Sequence, residues 1–298
     1  MPHRGEMFLQ AFAQPLPTNK LPPSYVTGSR VDVLRADQLD PDISGNKWFK
    51  LRYYLQEAKA SGKAIVTYGG AWSNHILATA IACARLGISC TGIIRGEEPP
   101  TLSATLTRSR AAGMQLEFVS RTSYSTKILP RQFKDGDFMV IPEGGAGPSG
   151  VRGAATMADH ITGAYSHCIC AVGTGTMMAG LINALDQHTK LIGVPVLKNP
   201  EAADSIRSML LTPSSHWTIA DGYTFGGYAR YNAELISFMN EFYRDTGIPS
   251  DFVYTGKLFF AARDLIRNGT IPEGSNVLLI HSGGLQGNAG LPPGLLSF

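Results

Sequence analysis

The chain has 298 residues, with 26 Lys+Arg against 23 Asp+Glu and a formal net charge of +3. That length suits two domains of about 100–200 residues each, or one large α/β unit, and no basic block or aromatic-interleaved basic patch marks a nucleic-acid partner. The N-terminal MPHRGEMFLQAFAQPLP has no apolar signal core, and no run approaches the roughly 18 apolar residues of a membrane span, so a cytoplasmic chain without a membrane partner is expected.

Two compositional features add to this. Cys83, Cys90, Cys168 and Cys170 lie inside apolar runs, the pattern of reduced thiols in a cytosolic core. The Cys-x-Cys step in HCICAVG reads as a buried strand with alternating side chains, not as a metal site. Glycine supplies 33 residues, about 11% against about 7% on average, so many turns must approach something closely or adopt positive φ.

In chain order, DISGNKWFKLRYYL (42–55) runs from a polar step straight into a helix-like pattern, with Lys47 at its start. A helix dipole disfavours a cation there. Lys47 is then either an ordinary solvated side chain, or an amine whose charged form is made costly, as covalent catalysis by lysine requires.

From residue 63 onward, short apolar runs at 64–70, 90–96, 116–120, 138–145, 168–176, 191–196 and 276–284 alternate with helical patterns such as 74–86, 102–112 and 177–187. Runs that are apolar throughout predict strands covered on both faces, and the alternation predicts parallel sheets in an α/β protein. The Gly-rich EGGAGPSGVRGA (143–154) reads as a linker, with a second crossing near 47–60. Residues 50–155 are thus expected to form a smaller inserted domain, and 1–49 with 156–298 a larger one.

Four runs end in glycine-rich turns: YGGAWSNH, EGGAGPSG, VGTGTMMAG and HSGG. Beyond strand ends in open α/β sheets, such loops and helix starts bind phosphate or carboxylate groups. In AVGTGTMMAGLINAL the strand, turn and helix order suits a phosphate cradle, with Thr174 and Thr176 as added donors, but GTGT matches neither G-x-G-x-x-G nor a Walker loop. In YGGAWSNH, Ser73 or Asn74 is the apparent N-cap of an Ala-rich helix, and the Ser-Asn-His trio also suits a carboxylate. His75, Tyr228 in FGGYARYN and Tyr254 in DFVYTGK each fit a packing role as well as a functional one.

Taken together, these segments resemble the 1-aminocyclopropane-1-carboxylate deaminase and D-cysteine desulfhydrase family, pyridoxal-phosphate enzymes of the tryptophan synthase β-like fold (fold type II). GNKWFKL (45–51) is similar to the family's GNKxxKL, GGAWSNH to its Gly-x-x-x-Ser-Asn turn, VGTGTMMAGL to its phosphate loop, and IHSGG to a further turn near the cofactor. The segment from Tyr228 to Lys257 is similar to the stretch that carries two active-site tyrosines. The likeness spans roughly 20–285 and is weakest through 95–135.

The resemblance implies two three-layer αβα domains with mostly parallel sheets, pyridoxal 5'-phosphate as cofactor, a small amino acid as substrate and a homodimer. It implies that Lys47 carries the cofactor covalently and that Lys50, Asn74, Gly173, Thr174, Gly175, Thr176, Met177 and Thr255 contact it, with Met177 standing where a hydroxyl residue is usual. Ser73, Asn74, His75 and Trp72 would meet the substrate, and Lys47, Ser73, Tyr228 and Tyr254 would be catalytic. Deaminase members carry a glutamate after the second tyrosine, whereas this chain has Thr255, as the desulfhydrase branch does. His75 follows that branch too, while Trp72 and ILATA depart from both. The implied reaction is α,β-elimination from D-cysteine or a similar amino acid, with cyclopropane deamination as the alternative. A non-catalytic pyridoxal-phosphate carrier is the alternative from another class, and no dinucleotide fingerprint supports an oxidoreductase.

Overall fold

The computed structural model describes residues 15–43, 45–133 and 138–298. The segment 1–14, where no signal core is expected, and Ser44 of the DISGNK stretch lie outside the described residues. The chain divides into two compact units, one containing Lys47–Gly153 and the other Pro15–Asn46 with Ala154–Phe298.

The Lys47–Gly153 unit is built on four strands, β3 (Ala64–Gly69), β4 (Cys90–Arg95), β5 (Gln115–Val119) and β6 (Phe138–Ile141), in the order β5-β4-β3-β6 and all parallel. Its helices are α1 (Asn46–Ser61), which begins one residue before the unit, then α2 (Asn74–Leu86), α3 (Ala104–Ala111), α4 (Arg121–Thr126) and α5 (Pro148–Ala155), which crosses the boundary. Strand pleating sends alternate residues to opposite faces. Val66, Tyr68 and Ile93 pack with Tyr124 of α4 on one face, and the space above Gly92 on the other holds Ile76 of α2.

The second unit is a six-stranded sheet of β1 (Thr18–Lys20), β2 (Arg30–Leu34), β7 (His167–Val172), β8 (Lys190–Pro195), β9 (Trp217–Ile219) and β10 (Asn276–Ile280), ordered β1-β2-β10-β7-β8-β9. Only β1 runs antiparallel. Four helices accompany it: α6 (Thr176–Ala184), α7 (Ala202–Arg207), α8 (Ala233–Thr246) and α9 (Thr255–Arg267). Ile169, Ala171, Ile192 and Val194 form one core with α8 and α9, where Phe242 stacks on Phe259 at 4.6 Å between centroids. Gly193, between Ile192 and Val194, turns to the opposite face and meets Met178 of α6. Each large apolar side chain removed from water here contributes about 1.5–3 kcal/mol. Helices therefore cover both faces of both sheets, the α/β layering that the apolar runs predict.

Within the Gly-rich 143–154 segment, Glu143–Gly145 form a 3₁₀ turn, and α5 follows with Pro148 at its first position, where a missing N–H costs nothing. All six residues of the HCICAV strand are buried, so its alternating side chains are covered on both faces. One local expectation is corrected: the run 138–145 is a strand only to Ile141. All four cysteines are buried free thiols.

Candidate active site

The GNK motif is held by a close backbone approach. Gly45 sits at φ +65°, and a Cβ built on it would lie 1.8 Å from the Ser282 carbonyl oxygen, so no side chain fits there. That same carbonyl accepts the Asn46 N–H at 3.2 Å. The HSGG turn after β10 therefore fixes the start of α1. Lys47 stands half-buried in the first turn of that helix, which has no acidic residue, and Lys50 is buried one turn further on.

After β3, the GGAWSNH turn ends at Ser73, which caps α2 with its hydroxyl accepting the Ile76 N–H at 3.3 Å. Asn74 and His75 form the first turn. The Thr67 hydroxyl donates to the Ile141 carbonyl at 2.8 Å, so its oxygen is left to accept from His75 Nε2 at 2.7 Å. This sets the tautomer: His75 carries its proton on Nε2 and offers a lone pair on Nδ1. Nδ1 of His75 and Oδ1 of Asn74 are buried acceptors with no partner among the described residues. Burial, then the charges of Lys47 and Lys50, push the His75 pKa down to about 3, which keeps the ring neutral. Trp72 is exposed.

In the other unit, β7 leads through Gly173–Gly175 into α6. Gly175 takes φ +78° at the N-cap, and a Cβ there would lie 2.7 Å from Ile206. No side chain caps this helix, so its first N–H groups keep their donor capacity. Thr174 and Thr176 hydroxyls pair at 3.0 Å, and Met177 is buried. The Tyr254 ring lies beside the same loop, 3.5 Å from where a Gly173 Cβ would stand. Tyr228 meets Tyr254 edge to face at 6.2 Å between centroids.

Thr255 is fully buried, with a partner that the motifs do not reveal. Its hydroxyl donates to Asp251 Oδ1 at 2.8 Å and accepts the Asp251 N–H at 2.8 Å, which leaves one lone pair on the oxygen. Asp251 also accepts the N–H groups of Val253, Tyr254 and Thr255. Burial raises the Asp251 pKa, an effect partly offset by these bonds.

Each unit by itself offers groups that suit part of a phosphorylated, hydroxylated cofactor. In the second unit the uncapped helix start with two hydroxyls suits a phosphate dianion, and in the first the orphaned Asn74 oxygen suits a hydroxyl donor. Three buried polar residues, Thr67, Asp251 and Lys257, lie within the segments named above but receive no role from the sequence. Their only signal in the sequence is a polar residue within an otherwise apolar stretch.

The model of the family described as "Pyridoxal-phosphate dependent enzyme" matches residues 15–283. The chain belongs to that family. It is 32% identical over 286 residues to a Thermotoga maritima protein named "Putative 1-aminocyclopropane-1-carboxylate deaminase", covering 87% of this chain and 90% of the relative. A Pyrococcus horikoshii protein of the same name is 28% identical over 283 residues, with 87% and 86% covered. Among solved structures, an ACC deaminase homologue superposes with a TM-score of 0.78 at 24% identity over 96% of both chains. A hydrogen sulfide-producing enzyme from Fusobacterium nucleatum shares the fold, with a TM-score of 0.70 at 15% identity, covering 95% of this chain and 99% of that one. The likeness to the cyclopropane deaminase and D-cysteine desulfhydrase family therefore holds, with pyridoxal 5'-phosphate as cofactor and the tryptophan synthase β-like fold. Among the described residues no helix is long and apolar enough to cross a membrane.

Proposed function

We propose that this pyridoxal-phosphate enzyme removes the α-proton and a β-leaving group from a small amino acid, with D-cysteine as the fitting substrate. D-cysteine and water would give pyruvate, ammonia and sulfide. The observation that carries this reading is Thr255. The residue after Tyr254 is a neutral hydroxyl, and its hydrogen is already given to Asp251.

When bound, the cofactor supplies an electron sink for the carbanion left by proton removal. The uncapped start of α6 with Thr174 and Thr176 would hold its phosphate, and Asn74 its ring hydroxyl. Lys47 would carry it and, once freed by the substrate's amine, take the α-proton at Nζ. Ser73, Asn74 and the N–H groups opening α2 would hold the substrate carboxylate, with the His75 lone pair turned to a donor in the site and Trp72 bordering the substrate. Tyr254 and Tyr228 would deliver a proton to the departing sulfur. Without an acid at position 255, a protonated ring nitrogen would be held by a neutral hydroxyl instead of a carboxylate, which would make a weaker sink, suited to substrates that have both an α-proton and a good leaving group.

The names of the curated relatives favour a second reading, deamination of 1-aminocyclopropane-1-carboxylate to 2-oxobutanoate and ammonia. That substrate has no α-proton and demands more of the electron sink, which the neutral Thr255 disfavours. The cofactor assignment is tested by spectroscopy. Protein loaded with pyridoxal phosphate should show a visible band that borohydride abolishes with covalent retention at Lys47. An unchanged band in Lys47→Ala would overturn Lys47 as the attachment point.

A further inference from the structure

Lys257 is a lysine with no access to solvent, in the first turn of α9, where a helix start again disfavours a cation. Its Nζ donates to three backbone carbonyls: Thr224 at 2.8 Å, Gly227 at 2.8 Å and Val196 at 3.3 Å. Three converging carbonyl oxygens around one buried positive charge are the ligand set of a desolvated monovalent cation. Burial pushes the Lys257 pKa down to about 8, an effect that the charge of Asp251, on the same segment, partly offsets.

Two of those carbonyls belong to one strained loop. Gly227 N–H bonds the Thr224 carbonyl at 3.0 Å and Arg230 N–H bonds the Gly227 carbonyl at 3.2 Å, so Lys257 holds the acceptors of two successive turns. Each turn contains a non-glycine residue at positive φ, Phe225 at 49° and Ala229 at 52°. Such backbone persists only where its surroundings over-determine it. Tyr228 lies between the two and is presented, exposed, against Tyr254.

We propose that Lys257 is a positioning residue whose ammonium takes the place of a bound monovalent cation, clamping the strained 222–231 loop to the end of β8 and so setting where Tyr228 stands. Its catalytic consequence rests on the reading of Tyr228 given above; the clamp itself does not. Truncation to alanine leaves the carbonyls without their donor and opens a space the length of the lost aminopropyl group, which a small alkylammonium can enter, whereas an apolar side chain of equal length fills that space without supplying charge.

The test uses cofactor-loaded enzyme and three readouts: steady-state kinetics with D-cysteine, rescue by ammonium or methylammonium, and the rate of tryptic cleavage after the exposed Arg230. In Lys257→Ala, cleavage after Arg230 should accelerate at least about tenfold, and kcat should fall about 10- to 100-fold, the scale of an ångström-level misplacement. Added methylammonium should recover several-fold of that loss in Lys257→Ala but none in Lys257→Met. In a Tyr228→Phe background the kcat penalty of Lys257→Ala should largely vanish, because the lysine acts through that tyrosine. Wild-type cleavage and kcat in Lys257→Ala would overturn the clamp, as would equal responses of the Ala and Met variants to methylammonium. Fast cleavage with wild-type kcat in Tyr228→Phe would keep the clamp and remove the role of Tyr228. Should Lys257→Ala not fold, Lys257→Gln, which keeps N–H donors without the charge, carries the same cleavage and kinetic readouts, and wild-type behaviour there would overturn the need for an ammonium.

Discussion

The neutral His75 buried beneath the α2 start makes the protein acid-sensitive by a calculable amount. In the unfolded chain a histidine binds its proton near pH 6.5, whereas in the fold burial and the charges of Lys47 and Lys50 hold protonation off to about 3. Because the folded pKa is depressed, the unfolded state binds one more proton than the folded state between those values. The contribution to stability is therefore complete above pH 6.5 and is lost as pH falls toward 3. Each pH unit in that window is worth about 1.4 kcal/mol, so lowering the pH from about 7 to about 4.5 should remove about 2.5 kcal/mol through this side chain alone.

Urea unfolding of cofactor-free wild type and His75→Gln at both pH values isolates the effect, since carboxylates titrate alike in both proteins. Glutamine can still donate an amide N–H to Thr67. Wild type should lose about 2.5 kcal/mol more than the variant over this interval. Equal losses in the two proteins would refute the assignment of His75 as a neutral, Nε2-protonated ring.

Further outcomes follow from the same geometry. Gly45→Ala places a Cβ on the Ser282 carbonyl at positive φ, so it should lower stability by at least about 3 kcal/mol or prevent soluble accumulation, seen as a large fall in Tm; a near-wild-type Tm would contradict the close approach. Asp251→Asn removes the carboxylate that receives the Thr255 hydroxyl and three N–H groups. It should cost about 2–4 kcal/mol in unfolding experiments and shift the bound cofactor's absorbance, and an unchanged spectrum would separate Asp251 from the cofactor. Thr255→Glu should raise turnover of the cyclopropane amino acid relative to D-cysteine; no change in that ratio would remove the electronic argument.

Much of the framework is legible because local signals agree. Helix α2 occupies the expected 74–86 because Ser73 caps its start and Gly87, at φ +67°, caps its end. Strand β2 is harder to see, since Arg30 and Asp32 interrupt its apolar run. Asp32 is nevertheless buried, because Arg30 at 2.7 Å and the Tyr165 hydroxyl at 2.9 Å satisfy it across the fold. Strand β9 has only three residues, too few for a period, and α4 forms from RTSYST through its Ser120 cap despite poor helix formers. In the site, Gly45, Ser73 and Gly175 announce themselves by residue type. The partners that complete it, Thr67 for His75 and Asp251 for Thr255, are polar residues whose importance comes from burial and from contacts that composition does not display.

The most direct test of the account is a substrate comparison with purified, pyridoxal-phosphate-loaded protein, following pyruvate and sulfide from D-cysteine and 2-oxobutanoate from 1-aminocyclopropane-1-carboxylate. Pyruvate and sulfide should appear in equal amounts, abolished in Lys47→Ala, with little or no 2-oxobutanoate. Robust 2-oxobutanoate release with no turnover of D-cysteine would contradict it.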